Sequence, residues 1–113
     1  MAQSHARSGE LVSVLPLAAS LAASRTTAIL KAHELEVIRV VLQAGRTMAE
    51  HAAPGEITLQ CLEGVLALAS PQGTVQMHAG DLVHLGAGKR HALQAITDTS
   101  ALLTISLRTA DAG

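Results

Sequence analysis

Two histidines carry the clearest chemical potential in this sequence. His51 and His91 each close a segment that contains glycine. Neutral imidazole binds zinc, iron, copper or nickel, but a protein site for these metals has three or four ligands. We therefore interpret the pair as hydrogen-bonding groups that line a pocket, with metal binding as the alternative if further ligands join them.

Glu56 is the first candidate for a third ligand. It follows the turn Pro54–Gly55, and a β-bulge at this turn would rotate its carboxylate toward the histidines. Simple alternation along a strand directs the carboxylate outward instead, so a solvated glutamate is the favoured interpretation. His84 would supply a third imidazole only if it faced inward, and we expect it to be exposed or to face a dimer partner.

The residues after this turn alternate in a pattern typical of a strand with a dry inner face. We expect three alternate residues to point inward and to line a ligand pocket with the two histidines: Ile57, Leu59 and Cys61. In this interpretation Cys61 is a small core hydrophobe, because the sequence places no cation beside it that would activate its thiol.

The composition excludes several function classes. Eight basic residues balance nine acidic ones among 113, so no excess charge favours nucleic acid or an acidic membrane. Phe, Tyr and Trp are absent, which removes stacking surfaces for bases and leaves the core to aliphatic side chains. No apolar run approaches the roughly 20 residues of a membrane span.

The start of the chain raises the question of targeting. The stretch from Leu11 to Ala23 partly resembles a signal peptide, but Glu10 precedes it and Pro16 interrupts it. The single cysteine forms no internal disulfide, which suits a reducing compartment. We therefore expect a cytoplasmic protein.

Short apolar runs separated by Gly or Pro predict an antiparallel sandwich or barrel. The clearest strands are Leu35–Leu42 and Ala101–Leu107, and the Ala-rich stretch Pro16–Ala23 predicts one or two helical turns. The turn signals between strands are Ala44–Gly45, Ala53–Gly55, Glu63–Gly64, Pro71–Gly73, Ala79–Gly80 and Gly86–Gly88. We predict one all-β domain over residues 25–107, a partly flexible N-terminal extension over 1–24, and a tail over 108–113.

Two segments resemble the paired motifs of the cupin superfamily. Gly45 to His51 matches the opening of the first motif, a glycine and five residues before a histidine, and Cys61 to Gly64 matches its close. Gly80 to His91 is similar to the second motif, which ends with a glycine, two residues and a histidine. The resemblance implies a compact RmlC-like cupin, a small antiparallel double-stranded β-helix (jelly-roll) barrel with its site in the mouth.

The departures from these motifs concern the metal ligands. Metal-binding cupins use two histidines and a glutamate from the first motif and one histidine from the second. His51 and His91 hold the outer positions here, but Ala53 holds the second histidine position and Ile57 the glutamate position. The motif resemblance therefore implies an incomplete ligand set.

Two functions are compatible with this set. The first is a module that binds a small organic molecule in the mouth, oriented by His51 and His91, without tight metal. The alternative is a metal-dependent enzyme of the dioxygenase, isomerase or decarboxylase type, in which a divalent transition metal is held by His51, His91 and Glu56. The resemblance does not decide whether the chain is an enzyme, since cupins share one fold across these chemistries.

A homodimer is the expected assembly. The resemblance to small cupins implies a dimer in which sheet edges or N-terminal strands pair. The residues expected to cover such an edge are the apolar Leu62 and Val65 and the strand over 25–30.

Overall fold

The computed structural model describes residues 5–108, except for the side chain of His51. The first four residues of the predicted extension, and all of the predicted tail except Arg108, lie outside the described residues. Nine strands and one 3-10 helix (Ala18–Ala23) lie within this range: β1 Thr27–Lys31, β2 Leu35–Leu42, β3 Thr47–Ala52, β4 Ile57–Glu63, β5 Val65–Ser70, β6 Gly73–His78, β7 Leu82–Leu85, β8 Arg90–Ala95 and β9 Thr99–Ser106.

The strands form two antiparallel sheets, which confirms the predicted all-β class. The five-stranded sheet has the order β1-β2-β9-β4-β7, and the four-stranded sheet has the order β3-β8-β5-β6. Strands that are neighbours in a sheet are mostly distant in sequence, as in β2–β9 and β5–β8. This crossing of the chain between two facing sheets is the jelly-roll arrangement that the sequence predicted.

Both sheets contribute their inner faces to one core. Because side chains alternate along a strand, the buried residues of β4, β5 and β8 lie at alternate positions. The core is aliphatic apart from one cysteine and one methionine: Val40, Ile57, Leu59, Cys61, Leu66, Leu68, Met77, Leu85, Leu93, Ala101 and Leu103. Aliphatic side chains thus fill the space that aromatic side chains occupy in many domains of this length.

The predicted strand and turn boundaries agree closely with the structure. Strand β2 has the predicted bounds Leu35–Leu42, and β9 ends one residue before the predicted Leu107. Each predicted turn signal coincides with a break between strands. The Ala-rich stretch forms a 3-10 helix from Ala18 to Ala23, which leaves the first two residues of the predicted helical stretch outside the helix.

The glycine that ends the first motif has a steric reason to be glycine. Gly64 has φ +84°, and a Cβ at this position would overlap the backbone carbonyl oxygen of Asp98. A larger residue would therefore have to separate the β4–β5 turn from the β8–β9 turn.

The N-terminal extension is held against the strands by one carboxylate. Strand β4 carries a bulge between Cys61 and Glu63, which sets Glu63 opposite Ser100 of β9. The Glu63 carboxylate accepts hydrogen bonds from the backbone N–H groups of Leu17 (2.8 Å) and Ala18 (3.0 Å) and from the Ser100 hydroxyl. Glu63 thereby connects the start of the 3-10 helix to the five-stranded sheet.

These contacts change the acidity of Glu63. Burial of the carboxylate acts to raise its pKa, but the hydrogen bonds from Ser100, Leu17 and Ala18, together with the positive charge of Arg39, outweigh burial and lower the pKa of Glu63 below its ordinary value. Arg39 also donates to the carbonyl oxygens of Leu15 and Ser13. An ionised Glu63 is therefore part of the attachment.

The surfaces expected to form a dimer are only partly exposed. Leu62 and Val65 are half-buried within the single chain, and the free edge of β1 receives one hydrogen bond, from the N–H of Ala6 to the carbonyl oxygen of Ile29. The homodimer stays a prediction, which the mass in solution by light scattering tests. Within residues 5–108, no helix is long and apolar enough to cross a membrane.

We predict that Glu63→Gln detaches the extension and that its effect depends on pH. A group with a lowered folded-state pKa stabilises the fold above its unfolded pKa and loses that contribution as the pH falls through the folded value. At neutral pH the variant should melt about 5 °C lower, since a hydrogen-bonded charged acceptor contributes about 1–3 kcal/mol. Its Leu17 and Ala18 amides should exchange faster with solvent.

As the pH falls through the lowered folded-state pKa of Glu63, the wild-type carboxylate also takes up its proton, and the two melting temperatures should converge. Glu34→Gln is the matched control, because Glu34 is exposed and should leave the melting temperature unchanged across the same pH range. A Glu63→Gln deficit that does not shrink as the pH is lowered stepwise from neutral would contradict a role for the ionised carboxylate.

Candidate functional site

One end of the two-sheet core is framed by two connections. Residues 53–56 join β3 to β4, and residues 86–89 join β7 to β8. The N–H of Gly88 donates to the carbonyl oxygen of Ala53 at 2.9 Å, so the two connections are tied together. We call this end the mouth. The expected site residues at positions 51, 57 and 91 all lie within two residues of it along their strands.

The backbone brings positions 51 and 91 together. Strands β3 and β8 are antiparallel, and their register pairs His51 with His91 and Ala52 with Arg90. The side chain of His51, a predicted pocket and metal residue, lies outside the described part of the structure. The pairing nevertheless places both histidine backbones at neighbouring points of the mouth.

At the mouth, the bulge lies in a different place from the one considered in the sequence. Between Met48 and His51 strand β3 advances three residues while β8 advances two, so one extra residue lies in β3 itself. Glu56 follows the turn as expected, and strand β4 begins at Ile57 with regular pairing to β9. The register of β4 at Ile57 is therefore the one that simple alternation predicts.

His91 is the buried polar group of this end. Its side chain is 2% exposed, and it lies on the same face of β8 as the core residue Leu93. Its Nδ1 atom lies 3.3 Å from the carbonyl oxygen of Lys89. A carbonyl oxygen can only accept, so this contact requires a hydrogen on Nδ1.

The predicted inward face of β4 is buried as expected. Ile57, Leu59 and Cys61 are 4%, 1% and 0% exposed, and all three belong to the core. Ile57 lies at the mouth, opposite Leu85 of β7 and Ile105 of β9. Of the three expected pocket residues, Ile57 is thus the one that borders the mouth.

Cys61 lies at the other end of the core. It lies four positions along the strand from Ile57, which corresponds to about 13 Å. Its Sγ lies 3.6 Å from the carbonyl oxygen of Glu63 and 3.7 Å from that of Gly64, in the turn opposite the mouth. The structure therefore does not bring Cys61 together with His91.

Glu56 and His84 meet on the outer face of the five-stranded sheet. Glu56 Oε1 lies 2.7 Å from His84 Nε2, and the side chains are 68% and 58% exposed. Position 84 pairs with Thr58, an outward residue, so both partners follow the alternation of their strands. The pair is a solvated contact on the opposite side of the sheet from the core.

The remaining charged groups near the mouth are also turned to solvent. Arg90 Nε donates to Glu50 Oε1 at 2.9 Å, with both side chains more than half exposed. Lys89 is exposed, and its side chain passes over Gly86. The other described histidines, His5, His33 and His78, are exposed.

The described side chains do not fit a metal centre at the mouth. The motif position for a glutamate ligand is Ile57, whose apolar side chain is packed in the core, and Ala53 also packs against that core. Glu56 is engaged on the outer face. Among the side chains that the structure describes, no group of three His, Cys, Asp or Glu residues could hold a metal ion.

A family model supports the assignment that the motifs suggested. The model described as a cupin domain matches residues 38–107, from within β2 to just beyond β9. This is more than half of the chain. The chain belongs to the cupin domain family. The match does not include the N-terminal extension or β1, so both lie outside the part of the chain that the family model covers.

Solved structures share this fold at low sequence identity. An RmlC-like cupin from Desulfovibrio desulfuricans has a TM-score of 0.73 and 19% identity, covering 86% of this chain and 96% of that one. A conserved protein of unknown function from Streptococcus pyogenes has a TM-score of 0.72 and 22% identity, covering 97% of this chain and all of the other.

An enzyme is also among the similar structures. Salicylate 1,2-dioxygenase from Pseudaminobacter salicylatoxidans has a TM-score of 0.62 and 23% identity, but the match covers 65% of this chain and only 21% of the enzyme. At such identities the likeness establishes the fold alone. No curated protein matches the sequence.

We predict that the Cys61 thiol is unreactive in the folded protein. Burial raises the pKa of Cys61, and the nearby charges of Asp81 and Glu63 raise it further, against a lowering by its hydrogen bond to the Glu63 backbone. The thiolate is the reactive form, so a disulfide reagent at neutral pH should label Cys61 at least about 100-fold more slowly in native than in denatured protein. Comparable labelling rates in the two states would place Cys61 at an accessible surface.

Proposed function

We propose that this cupin binds a small, largely apolar organic molecule in its mouth, without a tightly held metal. His91 is the orienting polar group, and His51, opposite it in the register, is its partner. The observation that carries the proposal is the replacement of a motif ligand by Ile57, whose side chain is packed in the core while the neighbouring carboxylate of Glu56 is paired outside.

The chemistry around His91 suggests the kind of ligand. Small-molecule sites combine an apolar lining with a few polar groups that fix the orientation of the ligand. Ile57, Leu85 and Ile105 offer the apolar surface at this end of the core. As the buried polar side chain of this end, His91 would hydrogen-bond with a ligand hydroxyl and so fix the orientation of the ligand.

The metal-dependent alternative would need a further donor. The set of His51, His91 and Glu56 requires the Glu56 carboxylate to leave His84 and cross to the inner face of its sheet. A shift of β4 by one residue would also turn Ile57 and Leu59 outward. One structural neighbour is a dioxygenase. Nothing in the described side chains favours dioxygenase chemistry for this chain.

We predict that protein purified without a histidine tag contains far less than one transition metal per chain. Two imidazoles give little chelation compared with three or four ligands. Elemental analysis of the wild type, His91→Ala and Glu56→Gln should give equal, low values. Stoichiometric metal in the wild type that is absent from His91→Ala would overturn the proposal. If Glu56→Gln also lacked the metal, the metal-dependent alternative would be supported.

We further predict that phenol binds at the mouth more tightly than anisole, its matched analogue without the hydroxyl hydrogen. In methyl spectra, phenol should shift Ile57 and Ile105 and leave Met77, which lies away from the mouth, in place. His91→Ala should remove about a 3- to 10-fold preference for phenol, the value of one hydrogen bond. An equal response to the two probes, or shifts at Met77 alone, would count against His91 as the orienting group.

A further inference from the structure

A second concave surface lies outside the two-sheet core. It is a groove of about 590 Å³ between the N-terminal extension on one side and β1 with Arg39 of β2 on the other. Its volume falls within the range of small-molecule sites, roughly 300–1,000 Å³. The cupin family match begins at residue 38, so one wall of the groove is built by the part of this chain that precedes the match.

The charges in this groove are predominantly positive. Arg25 and Arg39 contribute two positive charges and Glu10 one negative charge, which leaves one net positive charge with His5 neutral. Glu10 is already engaged, since its Oε1 accepts the N–H of Arg7 at 2.8 Å. Glu63, which also senses the charge of Arg39, is occupied by its three donors from Leu17, Ala18 and Ser100.

Arg39 has unused donors at this surface. It is half-buried, and two of its N–H groups donate to backbone carbonyls of the extension at 3.1 and 3.3 Å. A guanidinium has five N–H groups, so three remain without a partner among residues 5–108. These donors are fixed in a planar fork, the geometry that suits a carboxylate.

The rest of the groove is apolar. Ile29 and Ala28 of β1 are half-buried along one wall, and Leu11 and Val12 of the extension are 98% and 42% exposed. An exposure of 98% for a leucine means that its side chain has almost no cover within the chain. A ligand with an apolar tail would cover this surface while its charged end lies at Arg39.

We propose that this groove binds an amphipathic organic anion, a carboxylate attached to an unbranched apolar tail. Arg39 and Arg25 hold the carboxylate, and the tail lies between Ile29 and Leu11. The site is separate from the mouth, because none of its lining residues belongs to β3, β4, β7 or β8. It therefore does not rest on the proposed function of His91.

Octanoate is the probe, followed by amide chemical shifts of the full-length protein. We expect saturable shifts at Ile29, Leu11 and Arg39. Octanol, which keeps the tail without the charge, and octylamine, which reverses the charge, should bind at least about 5-fold more weakly. Arg25→Gln, whose arginine side chain makes no hydrogen bond within residues 5–108, should weaken octanoate binding about 3- to 5-fold, and Arg39→Gln about 10-fold.

Arg90→Gln is the matched control, since Arg90 is an exposed arginine at the mouth and should leave octanoate affinity unchanged. Equal binding of octanol would overturn the recognition of an anion. Shifts confined to the mouth and weakened by Arg90→Gln would assign octanoate to that site and overturn the groove.

A second copy of the chain is the competing occupant. If it fills the groove, light scattering should show a dimer that dissociates in Leu11→Ser and persists in Leu82→Ser, an equally polar change at a 64% exposed leucine on β7. That result, with no octanoate shifts in the wild-type dimer, would overturn the proposal. A mass that both variants leave unchanged, together with octanoate shifts in the groove, would support it.

Discussion

The register of β4 is the constraint on which the site depends. Its inner face contributes Ile57, Leu59 and Cys61 to the core. The start of the strand is fixed by a hydrogen bond of 2.9 Å from the N–H of Ser106 to the carbonyl oxygen of Glu56. A slip of one residue would expose all three side chains, at about 1.5–3 kcal/mol for each large aliphatic one. The outward carboxylate of Glu56 therefore cannot take the inward motif position that Ile57 holds on this strand.

The turn before β4 reinforces this register. Gly55 is buried, and a Cβ there would overlap the backbone carbonyl oxygens of Ser106 and Arg108. The connection from β3 thus passes close against the end of β9, with little room for the bulge that would turn Glu56 inward. Glu56 instead pairs with His84, a contact between exposed groups that contributes less than about 1 kcal/mol.

Local patterns in the sequence were enough to predict the strands and the faces of the site. The alternation after Pro54 predicted the burial of Ile57 and the exposure of Glu56, because a two-residue period is a property of the strand itself. The spacing of Gly80, Gly88 and His91 predicted the second motif, and the structure places His91 in the buried face of β8.

Features that depend on distant parts of the chain were not predictable in this way. The attachment of Leu17 to Glu63 spans 46 positions, and Glu63 was read only as part of a turn signal. Its outward direction follows from a bulge that the sequence does not mark. Similarly, the contacts of Arg39 with the carbonyl oxygens of Leu15 and Ser13 form only when the chain folds.

Restoring the missing donors tests whether the mouth lacks a metal site because of Ala53 and Ile57. The double variant Ala53→His, Ile57→Glu returns both motif ligands to the mouth, and the stabilisation of each protein by added nickel measures metal binding. Nickel should raise the melting temperature of the double variant by several degrees or more and leave that of the wild type within about 1 °C. An equal nickel-dependent increase in the wild type would show that its own residues already form a metal site, and would contradict a mouth without tight metal.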